Sequence, residues 1–204
     1  MPVARTRSFG QEYRPTVVDK LGVWLSARQI RNTVGSLDGK RIGDFGCGYH
    51  ATFARSVLDE VAHAVLVDVA LAADLKSDPR VTAVEGQLPE SFARVEPSSL
   101  DVAMCVSVLE HLSDPLASLM ALRKVLRPDG VCLVNVPSWR GKWFLETSAF
   151  KLGLSPREEM DDHKMYYDPR DLWPLLVRAG FVPHGIRVFR HKLGLNTFAV
   201  CRSS

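Results

Sequence analysis

The sequence lacks the features that mark secreted, membrane-spanning and metal-binding proteins. Its four cysteines stand singly among 204 residues, with no Cys-x-x-Cys pair and no Cys/His spacing typical of a zinc site. No stretch approaches the roughly 20 apolar residues that span a bilayer. The charged N-terminal residues contain no apolar core of a secretory signal. We therefore expect a cytoplasmic protein with no bound metal and no membrane insertion.

An excess of charge of either sign is also missing. The chain has 26 Lys and Arg against 23 Asp and Glu, a formal net charge of +3. No basic run with interleaved aromatic residues occurs, so no nucleic-acid partner is expected. Hydrophobic residues make up 46% and charged residues 24% of the chain, which is ordinary for a globular protein, and the length fits one domain. Composition leaves the oligomeric state open.

Short apolar runs that alternate with helical segments indicate the fold class. Seven runs are predicted strands, at Arg41–Phe45, Ala64–Val69, Val81–Val84, Asp101–Val106, Val131–Val136, Ile186–Phe189 and Thr197–Cys201. The first five show little polar alternation, which is typical of parallel strands buried on both faces. Seven residues join the last two, too few for a crossover helix, so these two should pair antiparallel. The prediction is an α/β fold with a doubly wound, mostly parallel seven-stranded sheet, a C-terminal antiparallel hairpin and helices on both faces.

Apolar spacing and capping residues predict the helices between these strands. They are a capped amphipathic helix over Thr16–Leu37, a helix whose one face carries Ala54, Val57, Leu58 and Val61, a helix over Pro115–Leu126 capped by Asp114, and a helix over Pro169–Ala179. The residues before Thr16 are polar and predicted to be loose. Residues 139–162 are predicted to be irregular.

A glycine turn follows the first predicted strand. The segment RIGDFGCGYH places Asp44, Gly46 and Gly48 at a strand end before a helix, where glycines let a ligand approach the backbone closely. The free N–H groups of that helix favour an anionic group. Asp68 closes the next strand, 22 residues after Gly46, about the separation at which an acid meets ribose hydroxyls in such folds. A tight turn without a ligand is the alternative for the glycine pair alone.

These residues resemble the class I S-adenosylmethionine-dependent methyltransferases of the small-molecule type, a Rossmann-like family. The third glycine usual in that family corresponds here to His50. The resemblance implies that Gly46 and Gly48 line the methionine part of S-adenosyl-L-methionine, that Asp44 organises contacts to its amino group and that Asp68 takes both ribose hydroxyls. The complete implied cofactor set is Asp44, Gly46, Cys47, Gly48, Asp68, Val69, Gly86, Gln87, Leu88 and Ser107.

Three later segments strengthen the resemblance. EGQLPE is similar to the adenine-side loop of the family, with Gln87 able to bond the adenine edge. LDVAMCVSVLEHLSDP is similar to the fourth strand and its loop, and LRPDGVCLVNVPS to the next turn and strand. The resemblance covers the chain from about Lys40 to the end. We expect one domain over 1–204, with a helical lead-in over 1–39, a cofactor-binding half over 40–138, a substrate-capping insertion over 139–168 and a C-terminal helix and hairpin over 169–204.

The expected chemistry is methyl transfer to oxygen or nitrogen of a small-molecule acceptor. A sulfonium methyl group is already electrophilic, so the protein mainly aligns the reactants, and a base helps where the acceptor is a hydroxyl. His111 and His163 are the candidate bases; the alternatives are a structural histidine at 111 and a solvated one at 163. Tyr166 and Tyr167 either line an acceptor pocket or pack the following helix.

Two other function classes stay open at the level of sequence. A glycine turn with a strand-end acid also serves NAD(P)-dependent oxidoreductases, although the chain has no Tyr-x-x-x-Lys pair. A non-catalytic module of methyltransferase-like fold is the second alternative.

Overall fold

Strands and helices alternate along the chain as the apolar pattern predicts. The computed structural model describes residues 7–12, 16–143 and 164–203. Its strands are β1 Arg41–Phe45, β2 His63–Asp68, β3 Val81–Glu85, β4 Leu100–Val106, β5 Leu126–Pro137, β6 Ile186–His191 and β7 Asn196–Arg202. Its helices are α1 Val17–Val34, α2 Thr52–Arg55, α3 Ala73–Ser77, α4 Pro115–Val125 and α5 Pro169–Arg178. The prediction of an α/β fold is confirmed.

The seven strands form one sheet in the order β3-β2-β1-β4-β5-β7-β6. Strands β1 to β5 pair in parallel, and β7 lies antiparallel between β5 and β6. The predicted C-terminal antiparallel hairpin is thus confirmed. Strand order reverses between β1 and β4, and ligands of open α/β sheets bind outside the carboxyl ends of the strands at such a switch point.

Alternate residues of each strand build two separate cores. Ile42 and Leu66 face the core that α1, α2 and α3 cover. Phe45 and Val67 face the opposite core, which α4 and α5 cover. Helices therefore lie on both faces of the sheet, as the doubly wound prediction requires.

Helix α1 is capped as predicted, but most of the apolar residues whose spacing predicted it are not buried against the domain. Thr16 and Asp19 form a capping box, with the Asp19 amide donating to the Thr16 hydroxyl over 3.2 Å. Only Ser26 and Ile30 are buried, whereas the side chains of Val17, Leu21 and Trp24 are more than half exposed. Within the described ranges, no helix combines the length and hydropathy needed to cross a bilayer.

Three local predictions are wrong. The predicted helix through Val61 ends at Arg55 and continues as three-residue turns, which still bury Ala54, Val57, Leu58 and Val61. Residues 139–143 are helical rather than irregular. Strand β5 begins at Leu126, because the predicted Pro-Asp-Gly turn is absorbed as an irregularity in the pairing of β5 with β4.

Candidate active site

Two acids lie on one face of the sheet at the carboxyl ends of β1 and β2. Asp44 pairs across the strands with Leu66, and Asp68 lies two residues further along β2, so both project from the same face. Asp44 is only 6% exposed. Its burial, and then the charge of Asp68, raise the pKa of Asp44 to about 7. A cationic group placed here would favour the ionised carboxylate.

The glycine loop after β1 is fixed by backbone conformation and by close packing. Gly46 has φ +81°, and a Cβ at this position would fall on the methyl groups of Val108. Its N–H donates to the carbonyl of Val67 over 2.7 Å. Glycine is therefore required at 46 on two grounds, and the packing brings the loop after β4 directly against the loop after β1.

His50, which stands where the family has a third glycine, lies near Gly10, with its Cδ2 3.8 Å from the position of a Cβ on that glycine. Its ring is exposed and meets Tyr49 edge-on, with ring centroids 5.0 Å apart. Helix α2 begins after Ala51, which has φ +42° and makes no side-chain cap, and it has only four residues. The helix whose free N–H groups were expected to favour an anionic group is therefore a single turn.

Asp68 organises the strand-end loops around its carboxylate. One oxygen accepts from the N–H of Gly48 over 2.8 Å, and the other accepts from its neighbour Val69 over 2.8 Å. The second oxygen also contacts the hydroxyl of Ser8. The prediction that residues before Thr16 are loose is thus wrong for residues 7–12, and the sequence offered no signal for a contact that spans 60 residues.

The predicted adenine-side loop lies next to Asp68. Asp68 pairs with Glu85, and the N–H of Gly86 donates to the carbonyl of Asp68 over 2.9 Å. A Cβ at Gly86 would crowd the side chains of Ser91 and Arg94, so the turn there also requires glycine. Gln87 is exposed and Leu88 is half-buried.

The loop after β4 carries Ser107 and His111 to the same edge. Ser107 is exposed with φ +57°, and its N–H donates to the carbonyl of Asn135 over 2.7 Å. His111 is half-buried and ends a 3₁₀ turn, where its N–H donates to the carbonyl of Val108 over 2.9 Å. His111 is therefore one turn away from the residue that packs on Gly46. His163, the other predicted base, lies outside the described residues.

A cavity opens on the far side of this turn. Its volume is about 440 Å³, and its walls include Leu112, Ser113, Lys164, Tyr167, Leu175 and Arg178. Tyr167 is buried and donates its N–H to the carbonyl of Pro137, while Tyr166 stacks obliquely on Trp139. Tyr167 thus both lines a cavity and packs the core, so the two predicted roles are compatible.

Two further charged residues lie at this edge: Glu110, which the sequence offers as a neighbour that could orient His111, and Lys192, which sequence reasoning passed over. Glu110 is only 1% exposed, and its carbonyl accepts from the N–H of Lys164 over 2.8 Å. Burial lowers the pKa of Lys192 to about 8, and the charge of Glu110 opposes that shift. Lys192 lies in the connection between β6 and β7, 82 residues from Glu110, so no local pattern pairs them.

Among the described residues, no cluster of His, Cys, Asp and Glu could hold a metal ion.

Comparison with known protein families gives one extended match. A family model described as a methyltransferase domain matches residues 22–184. The Ubiquinone biosynthesis O-methyltransferase of Bordetella pertussis is 28% identical over 172 residues, which cover 78% of this chain and 68% of that protein. The protein of the same name from Neisseria meningitidis is 27% identical over 183 residues, which cover 82% and 74%.

Solved structures show the same architecture at low sequence identity. A SAM dependent methyltransferase from Archaeoglobus fulgidus superposes with a TM-score of 0.64 at 14% identity, covering 88% of this chain and 94% of that one. Another from Aquifex aeolicus gives a TM-score of 0.61 at 15% identity, covering 95% and 100%. These structures support the fold.

Proposed function

The chain belongs to the methyltransferase domain family and is a class I S-adenosylmethionine-dependent methyltransferase, and on that premise we propose that it methylates a hydroxyl oxygen of a small molecule. S-adenosylmethionine supplies an electrophilic methyl carbon on a positively charged sulfur. The protein must hold this donor, orient the acceptor oxygen toward the methyl carbon and remove the hydroxyl proton.

The paired strand-end acids carry the donor assignment. Asp44 is buried with a raised pKa, so the ammonium group of the donor's methionine part would stabilise its ionised form. Asp68 is a two-oxygen acceptor suited to a ribose diol, and the loop from Gly86 to Leu88 lies beside it for the adenine. The positive φ values of Gly46 and Gly48 let the backbone approach the ligand. The residues present thus fit the donor.

His111 is the preferred base because of its position between donor loop and cavity. Through Val108 its turn packs against Gly46, and its next neighbour Leu112 lines the cavity. We place the acceptor in that cavity, with its hydroxyl toward His111. The relatives named as O-methyltransferases support oxygen over nitrogen as the methylated atom. His163 remains the second candidate from sequence.

Turnover with methyl-labelled donor tests the proposal. The protein should label hydroxyl-bearing aromatic compounds in a panel that also contains amines, and labelling confined to amines would contradict the choice of oxygen. His111→Ala should lower turnover by about 10²- to 10⁴-fold, the range for loss of a general base, and should preserve affinity for S-adenosylhomocysteine.

His63→Ala is the matched control, because His63 bonds Thr82 at the amino end of β2, away from the site. His163→Ala is assayed in parallel. Wild-type rates in both the His111 and the His163 variants would show that neither residue is the base.

A further inference from the structure

The N-terminal segment Arg7–Glu12, called the strap below, lies across the glycine loop. Ser8 is 6% exposed, and its hydroxyl contacts the carboxylate of Asp68. The same hydroxyl oxygen accepts from the N–H of Ala70 over 3.0 Å and lies 2.6 Å from the carbonyl oxygen of Ala70. The strap therefore reaches the acid that the proposed function assigns to the ribose.

Backbone contacts hold the strap in register with the loop. The N–H of Tyr49 donates to the carbonyl of Phe9 over 2.9 Å, and that carbonyl lies 3.3 Å from the position of a Cβ on Gly48. Within the strap, the N–H of Ser8 donates to the side-chain oxygen of Gln11 over 3.1 Å. The strap is thus a small turn with its own hydrogen bonds, docked where Gly48 leaves room.

The carboxylate of Asp68 has too few hydrogen-bond acceptor sites for Ser8 and a ribose diol at the same time. A carboxylate offers about four lone-pair sites. Described residues take three on Asp68, from the N–H of Gly48, the N–H of Val69 and the hydroxyl of Ser8. Two ribose hydroxyls need two sites, so Ser8 and the diol compete for the same carboxylate.

We propose that Ser8 is a donor-site residue whose hydroxyl exchanges with a ribose hydroxyl on Asp68. The exchange needs no movement of the strap backbone. The Ser8 side chain turns about its Cα–Cβ bond, because moving the hydroxyl proton alone to the carbonyl of Ala70 would leave the Ser8 oxygen on Asp68. The strap then stays in place and covers the ribose end of the donor. The inference rests on the assignment of Asp68 to the ribose.

Titration calorimetry with S-adenosylhomocysteine tests the exchange. Ser8→Ala removes the competing hydroxyl and should tighten binding about fivefold, within the net worth of one hydrogen bond. Ser36→Ala is the control, since its exposed hydroxyl only accepts from the N–H of Asp38, and its affinity should equal wild type. With a ligand that lacks the 2′-hydroxyl, one site on Asp68 suffices, so the gain from Ser8→Ala should vanish. Equal or weaker binding by Ser8→Ala would overturn the exchange.

Hydrogen exchange tests whether the strap stays. The amide of Tyr49 should remain protected when S-adenosylhomocysteine binds the wild-type chain, because it bonds to the backbone of the strap at Phe9. Faster exchange on binding would mean that the strap leaves and would overturn the proposal.

The variant Asp68→Ala separates the ribose assignment of Asp68 from the role of Ser8. Unchanged affinity of this variant for S-adenosylhomocysteine would remove the ribose assignment itself. Weakened affinity, together with no gain in affinity from Ser8→Ala, would remove only the role of Ser8.

Discussion

The proposed donor side and the proposed acceptor side of this site are built in different ways. The donor side comes from the ends of adjacent parallel strands, so strand register places Asp44 and Asp68 on one face. The acceptor side is a cavity between the loop after β4 and helix α5, which are about 60 residues apart in the chain. Strand pairing fixes the positions of the residues on the donor side. On the acceptor side, the size and charge of the lining side chains determine the shape of the cavity. Changes to the two sides should therefore have different consequences.

The largest effect is expected at Gly46, where donor binding and stability depend on the same contact. Gly46→Ala places a side chain on Val108 at positive φ and should cost about 2 to 5 kcal/mol of unfolding free energy and abolish donor binding. Gly39→Ala is the control for the cost of placing a side chain at positive φ alone, since Gly39 has φ +66° with open space around its Cβ position. It should lower the free energy of unfolding by about 1 to 2 kcal/mol. Denaturant unfolding and calorimetry measure both. Equal costs would mean that the contact with Val108 is unimportant.

The second effect concerns Asp44 and depends on pH. The folded-state pKa of about 7 lies above the unfolded value, so ionisation of the unfolded chain lowers stability as pH rises from about 4 to 7. Asp44→Asn should therefore be more stable than wild type at pH 8, by up to about 4 kcal/mol, with no difference below pH 4. Donor affinity of the wild type should rise between pH 6 and 8, and the variant should lose this rise. A constant stability difference across pH would contradict the explanation.

The third effect is loss of affinity at Asp68. Asp68→Ala removes charged hydrogen bonds worth about 1.5 to 3 kcal/mol, so affinity for S-adenosylhomocysteine should fall about 10- to 100-fold. Asp101→Ala is a suitable control, because Asp101 bonds Arg127 and the N–H of Arg41 at the opposite edge of the sheet. Unchanged affinity in the Asp68 variant would count against the donor assignment.

The smallest effect should come from the acceptor side. Leu175→Trp fills part of the cavity and should raise the acceptor KM about tenfold, the range for a modest change in pocket shape, with donor affinity unchanged. Leu193→Trp, at a 93% exposed position, should leave both quantities unchanged. An equal loss of donor affinity in Leu175→Trp would show that the two sides are not separate.

Sequence reasoning succeeded where one physical cause dominates the pattern. Strands buried on both faces, such as β1, β2 and β4, leave continuous apolar runs. All seven strands were placed to within a few residues except at the start of β5. It failed at α2, because the spacing of Ala54, Val57 and Val61 is satisfied by successive turns as well as by a helix. Sequence reasoning placed Asp44 and Asp68 together at the carboxyl ends of neighbouring strands, because it predicted that these strands are parallel. Ser8 was beyond its reach, because that contact depends on tertiary structure alone.

Strand β6, the last strand of the sheet, carries the exposed residues Arg187 and Arg190, which project from opposite faces because they lie three residues apart. A second copy that paired edge to edge with β6 would bring guanidinium groups of both chains together. Such like-charge repulsion is one way in which natural sheets resist uncontrolled growth and aggregation. We therefore expect that replacing Arg187 and Arg190 by Val or Thr would favour self-association through β6 at high concentration.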